Sequence, residues 1–360
     1  MKKTLQIASA FMGVIIGAGF ASGQEILQYF TSFGVLGIVG AIIATIIFAY
    51  VGATLMKIGS RLQTTSHKEA IYKISGKYVG AFIDFTIIIT LFGVGVVMIA
   101  GAGANLNQQF GISHYIGTSL MAFLVLLTGM LNVKRVIALI SSITPFLFLI
   151  IIVCAVYCIF TMDTSFFALD SIAKNHPTNL PNWFISVINY VSFNIAVGAS
   201  MAFVIGGAEQ NEKTATLGGL FGGLGIGILI VLSNLSIFSK IKNVAGYEMP
   251  LLEIVNNISP VLGFFMSIVL FGMIYNTAIS MFFAFGARFT EMETPKFKVF
   301  LTIIVLVGFC LSFFGFSGLV SYLYPFIGYL GLFLIVALIV ASVRMSELKE
   351  KNHIPLSGDN

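Results

Sequence analysis

Apolar runs of about 20 residues recur from one end of this 360-residue chain to the other. A hydrocarbon layer of roughly 30 Å accepts such runs as helices, because every backbone N–H and C=O must find its partner inside the segment. The sequence therefore reads as an all-α polytopic membrane protein. A hydrophobic share of 58%, a charged share of 9% and a mean hydropathy of +1.01 exclude an ordinary soluble domain. The net charge of +5 does not point to nucleic acid, since the basic residues stand in short segments beside the runs. Cys154, Cys158 and Cys310 all fall inside apolar runs and read as packing residues rather than a redox or metal set.

Reading the runs between charged punctuation predicts ten transmembrane helices, near 4–31, 34–57, 79–105, 114–132, 136–162, 183–208, 214–238, 260–287, 298–316 and 318–343. Two short amphipathic pieces, around His67–Ser75 and Met249–Ile258, lie between them. With the N-terminus inside, only Lys174, Lys240 and Lys242 of the nineteen Lys and Arg fall outside. That bias places both termini in the cytoplasm and the protein in the plasma membrane.

The chain also repeats. "ALISSITPF" (138–146) aligns with "GLVSYLYPF" (318–326), and "AGFAS" (18–22) with "AVGAS" (196–200), at nearly one offset. A five-helix unit is odd, so its second copy enters the membrane from the opposite side. The expectation is a 5+5 inverted repeat, with a first repeat over 1–162, an extracellular linker at 163–182, a second repeat over 183–343 and a cytoplasmic tail at 344–360. Pro145 and Pro325 are expected to kink equivalent helices.

The first run contains "GVIIGAGFASGQE" (13–25), which carries glycines, Ser22, Gln24 and a carboxylate, Glu25. Lys2–Lys3 and Ala8-Ser9-Ala10 imitate a signal peptide, but that cleavage pattern comes too early. "GAGFAS" imitates a dinucleotide loop without the strand that loop requires. Helix packing through Gly13/Gly17 and Gly19/Gly23 explains the glycines and leaves Gln24 and Glu25 unexplained. A helix broken on purpose explains all of them: unwound carbonyls face a cation, and the freed N–H groups face an anion. "SFNIAVGASM" (192–201) is expected to break the sixth span in the same way.

This motif, leading ten spans in two repeats, resembles the YkvI-like bacterial membrane proteins. They in turn resemble compact members of the amino acid–polyamine–cation transporter superfamily with a LeuT-type fold. The resemblance implies alternating access around a central site between spans one, three, six and eight. It suggests solute contacts at Gly17, Ala18, Gly19, Ala21, Ser22, Gly23, Gln24, Glu25, Phe193, Asn194, Gly198 and Ser200. It further implies a Na⁺ site made by the carbonyls of Gly13 and Ile16 with Asn276, Thr277 and Ser280. The alternative for Thr277 and Ser280 is back-bonding to their own helix.

Proton-coupled relatives often carry a lysine on span five, and none lies between Arg135 and Lys174 here. Glu25 and Asp84 are the proton-carrier candidates; Asp84, near a helix end, reads more simply as one partner of an ion pair. Glu209 and Glu212 are expected to pair with nearby cations, and "GGLFGGLGIG" (218–227) to pack closely. Tyr190, Phe193, Tyr322 and Tyr324 are candidates to close over the site. His67, His114, His176 and His353 form no cluster.

No Walker A, H-E-x-x-H or G-x-S-x-G motif is present, so neither an ATPase nor a membrane hydrolase is expected. The reading is a Na⁺- or H⁺-coupled secondary transporter of a small polar solute, most naturally an amino acid or related compound. Its partners are that solute and the lipid bilayer, with no cofactor beyond an ion and no nucleic acid. No residue pattern specifies an oligomeric state. The rival reading is a membrane sensor or partner-binding protein on the same fold.

Overall fold

The computed structural model describes residues 1–64, 67–130, 144–162, 164–291 and 294–353. Among these residues every regular element is helical. The first apolar run is split into α1 (Lys2–Ile15), α2 (Ala18–Ser22) and α3 (Gln24–Tyr29), followed by a 3-10 turn at Thr31–Phe33. Then come α4 (Val35–Leu62), α5 (His67–Phe110), α6 (His114–Met130), α7 (Thr144–Phe160) and α8 (Phe166–Lys174). The second half holds α9 (Trp183–Gly207), α10 (Glu212–Ser239), α11 (Ile241–Val244), α12 (Pro250–Ile258), α13 (Pro260–Gly286), α14 (Pro295–Ser312) and α15 (Phe316–His353).

Seven of the described helices, α4, α5, α9, α10, α13, α14 and α15, are long and apolar enough to cross a membrane. Shorter apolar helices span His114–Gly129 and Leu147–Phe160. This is a multi-pass membrane protein. The first run is absent from the seven because its break leaves no piece long enough. Residues 131–143, which include Lys134, Arg135 and most of the repeated segment 138–146, lie outside the described residues.

Local chemistry sets several boundaries. Gly76 adopts φ +74°, a backbone state that suits glycine, and separates the amphipathic lead of α5 from its apolar body. Asn182, Asn211, Ser259 and Thr294 cap α9, α10, α13 and α14 by accepting from the N–H three residues on. α12 starts on Pro250, whose missing N–H costs nothing at that position.

Small residues bring α10 against two neighbours at once, as the glycine run led us to expect. A Cβ on Gly223 would fall 2.3 Å from Phe48 O, and one on Gly219 2.2 Å from Gly52 O, so this face meets the α4 backbone. Gly218 and Gly222 meet Ile7 and Phe11 of α1 on another face. Lipid tails are as apolar as leucine, so close van der Waals packing is what holds such helices together.

The expected break in the sixth span is not there: α9 runs unbroken from Trp183 to Gly207. Asn194 donates to Tyr190 O at 3.0 Å, one turn back in the same helix. Gly198 admits a neighbour: a Cβ there would lie 2.3 Å from Ile15 Cδ1. The small residue serves the break in the first run rather than a break of its own.

The segment between α8 and α9 is pinned to the first run. Thr178 donates to Gln28 O at 3.0 Å, and His176 Nδ1 lies 3.0 Å from Ser32 Oγ. Burial pushes the His176 imidazole below its ordinary value of 6.5. The folded form thus binds this proton less readily than the unfolded chain. Its contribution to stability is complete above pH 6.5 and is lost as pH falls toward the lowered folded value. Melting temperature should accordingly drop between pH 7 and pH 5, and His176→Gln should flatten that drop. An equal drop in the variant would place the acid sensitivity elsewhere.

Candidate functional site

The break in the first run is made by two residues. Ile16 has ψ +88° and Gly17 an extended φ −92°, ψ −175°. The Gly17 N–H turns to Ile15 O at 3.0 Å instead of Gly13 O. Among the described residues no backbone N–H reaches the carbonyls of Gly13 or Ile16. A second interruption follows at Gly23, which is left-handed at φ +84° and joins α2 to α3. Its missing side chain also leaves room for Leu251 and Ile237, so Gly23 faces helices.

α13 faces the first interruption. A Cβ on Gly17 would stand 4.0 Å from Thr277 Oγ1. Thr45, Thr54, Thr86 and Thr90 all donate to their own helix four residues back. Among the described residues Thr277 and Ser280 make no such bond. The Oδ1 of Asn276 and the Oγ of Ser200 are buried and have no hydrogen-bond partner among the described residues. A hydroxyl or amide oxygen left unpaired in an apolar interior is costly, which marks these atoms for a partner that the described residues do not supply.

Glu25, in the first turn of α3, is 5% exposed. Tyr190 Oη donates to its Oε2 at 3.4 Å. Its Oε1 sits over Gly19, 2.0 Å from where a Cβ would be, and Tyr324 Oη lies 3.3 Å from the same point. Phe193 stacks on Tyr324 with ring centres 4.1 Å apart, and Tyr29 packs on Tyr190 at 5.0 Å. Tyr29 in turn donates to Asn189 Oδ1 at 3.2 Å. Among the described residues no Lys, Arg or His lies within 4 Å of this carboxyl.

The sequence-derived residues thus divide. Gly17, Gly19, Glu25, Phe193 and Tyr324 gather with Tyr190 around the two interruptions of the first run. Ala18 and Ala21 are buried in packing. Ser22 is committed to a local turn, donating to Gly19 O at 2.7 Å and accepting from Gln24 N at 3.1 Å. Gln24 is 3% exposed, its Oε1 without a partner among the described residues. Tyr322, at 71% exposure, stands away from the site. Asp84 is engaged by Arg288 in an ion pair between α5 and the end of α13. Glu209 and Glu212 pair with Lys3 at 3.7 Å and Arg61 at 2.5 Å, as expected. Tyr29 escaped the sequence reading, although its position four residues after Glu25 puts both on one helix face.

Two cavities, of about 460 and 180 Å³, lie elsewhere, beside Lys296 and beside Ser267. In this conformation the aromatic rings close directly over Glu25.

Two Bacillus subtilis (strain 168) proteins align with nearly all of this chain. The membrane protein YkvI is 27% identical over 336 residues, 93% of this chain and 94% of its own. YyaD is 27% identical over 330 residues, 91% and 94% respectively. The resemblance to YkvI holds along the chain. No family model matches.

Among solved structures, inward-facing Mhp1 superposes with a TM-score of 0.59 at 13% identity, over 94% of this chain and 75% of its own. MhsT in complex with L-phenylalanine gives 0.57 at 14%, over 94% and 97%. A Na⁺-coupled sialic acid symporter, substrate-bound and outward-open, gives 0.58 at 13%, over 95% and 78%. At such identities the likeness is one of fold, and the fold is of the LeuT type.

Proposed function

We propose that this protein is an ion-coupled secondary transporter of a small polar solute, an amino acid or related compound, working by alternating access. The observation that carries the reading is the interruption at Ile16–Gly17, with the carbonyls of Gly13 and Ile16 reached by no backbone N–H among the described residues and Thr277 opposite. A membrane helix has little reason to leave backbone oxygens unpaired except where they line a path for ions or solute. In the proposed arrangement ten spans form two inverted five-helix repeats, 1–162 and 183–343. They are joined by an extracellular linker at 163–182 and followed by a cytoplasmic tail at 344–360. The site lies between the first run, α5, α9 and α13.

Na⁺ is the ion that the oxygens favour. Gly13, Ile16, Asn276, Thr277 and Ser280 offer neutral, hard donors, which suit a hard cation. Support also comes from the fold's neighbours, one of which is named a Na⁺-coupled symporter. Another was solved with L-phenylalanine bound.

Protein in proteoliposomes should accumulate solute when a Na⁺ or H⁺ gradient is imposed and stop when it collapses. Saturable binding without flux would identify a sensor instead, and non-saturating conductance a channel. Thr277→Ala should weaken Na⁺ stimulation of binding by about tenfold, the worth of roughly 1.4 kcal/mol. If wild-type binding is indifferent to Na⁺, the ion site assignment fails.

A further inference from the structure

Glu25 raises a problem of charge balance. None of the nineteen Lys and Arg stands in the middle of an apolar span. Among the described residues the other acidic group set into a span, Asp84, already has Arg288. Among the described residues nothing is therefore placed to neutralise Glu25 at its depth, and an uncompensated carboxylate in such surroundings is costly. Its counter-charge must come from outside: a proton, a metal ion or a charged solute.

The surroundings choose among these. A Na⁺ ion asks for several hard oxygens at once. What surrounds Glu25 is chiefly aromatic: Tyr190 with its hydroxyl on Oε2, Tyr324 near Oε1, Phe193 stacked on Tyr324, and Tyr29 against Tyr190. Ring faces attract organic cations, most strongly where water is excluded, and a carboxylate among them completes an ammonium site.

The titratable groups facing the carboxyl are Tyr29 of α3 itself, Tyr190 of α9 and Tyr324 of α15. From α10 and α12 the apolar Ile237 and Leu251 stand against Gly23, two residues before Glu25. The only proton that exchanges readily in the cluster is thus Glu25's own.

We propose that the transported solute bears an ammonium group, and that this group and a proton compete for Glu25. Binding then exchanges one cation for another: the carboxylic acid gives its proton to solvent as the ammonium pairs with the carboxylate. The carboxyl and the cation it holds, proton or ammonium, sum to the same charge with either occupant. The rings must part to admit the solute. Pro325, which cannot donate a helix hydrogen bond, lies inside α15 next to Tyr324, and Asn179 of the linker donates to the Ser321 carbonyl at 3.0 Å, one turn earlier. This inference deepens the transporter reading and rests on it for the word transported.

The test uses the full chain purified in detergent, with thermal stabilisation as the first readout. Choline, ethanolamine and L-phenylalanine are compared with their ammonium-free counterparts dimethylbutanol, ethylene glycol and phenylpropionate. Stabilisation by at least one ammonium compound and by none of the counterparts is expected. Choline is charged at every pH, so any pH dependence of its binding belongs to the protein. In the acidic range its affinity should rise with pH by up to tenfold per unit, with release of up to one proton per molecule bound.

Glu25→Gln should abolish both the pH slope and the ammonium preference, and Glu25→Asp should restore part of each. Because the wild type alone supplies the slope, the test survives a variant that does not fold. Equal stabilisation by the ammonium-free set, a flat pH profile, or silence across the ammonium set would each overturn the proposal. Gradient-driven flux of a solute without an ammonium group would sink this inference and leave the transporter reading standing. Ammonium binding with the proton slope but no flux would do the reverse.

Discussion

Gly223→Leu should leave no folded protein to purify. A Cβ on Gly223 would stand 2.3 Å from Phe48 O, 2.5 Å from Phe48 C and 2.6 Å from Ala49 Cα. All three are backbone atoms of α4 and cannot turn aside as a side-chain tip would. The helices would have to separate along a face where Gly219 and Gly52 also touch backbone to backbone. Ordinary overpacking costs about 1–3 kcal/mol because neighbouring side chains give way. Here the penalty should exceed that range, since relief requires moving a whole helix and forfeits the contacts that hold it. The expected readout is loss of the monodisperse peak on size exclusion, or a melting temperature more than about 10 °C lower in any surviving fraction. Gly246→Ala is the control, because nothing lies within 4 Å of a Cβ there. A Gly223→Leu protein with wild-type elution and melting would mean that α4 and α10 do not meet as described.

The glycine run of α10 was legible in the sequence because small residues at helical spacing have few uses in a membrane. The interruption of the first run was legible for a related reason: the run is longer than a bilayer needs and carries polar residues that packing does not explain. α9 shows where such inference ends. "NIAVGAS" has the small and polar residues of a break, but the same residues serve a helix that lets another in, and only the position of Ile15 beside Gly198 decides between them. The aromatic enclosure of Glu25 was half legible. Tyr190, Phe193 and Tyr324 stood out, while Tyr322 looked equivalent to Tyr324 and faces outward. In a chain that is 13% aromatic, composition cannot rank one ring above another. That Asp84 pairs with Arg288 rather than a nearer cation is likewise beyond local pattern, since 204 residues separate the two.

That ion pair carries the second large expectation. Asp84→Ala should destabilise the protein by about 3 kcal/mol, the usual scale for removing one member of a mostly buried pair. The two side chains are only 13% and 19% exposed. The loss comes chiefly from the guanidinium left without its carboxylate, so Arg288→Ala should cost a similar amount by the converse route. The double variant should cost distinctly less than the sum of the singles, and the exchanged pair Asp84→Arg with Arg288→Asp should recover part of the stability. Additive losses would show that the two side chains do not act on each other. The cycle also separates two roles. The pair ties α5 to the end of α13, two of the helices proposed to flank the solute. A pure anchor predicts that the double variant, once folded, transports at the wild-type rate. A gate that must open in each cycle predicts that removing both charges changes the rate at which the site alternates while solute affinity stays the same. Flux and binding measured on that one variant distinguish these roles, because stability has already been accounted for by the cycle itself.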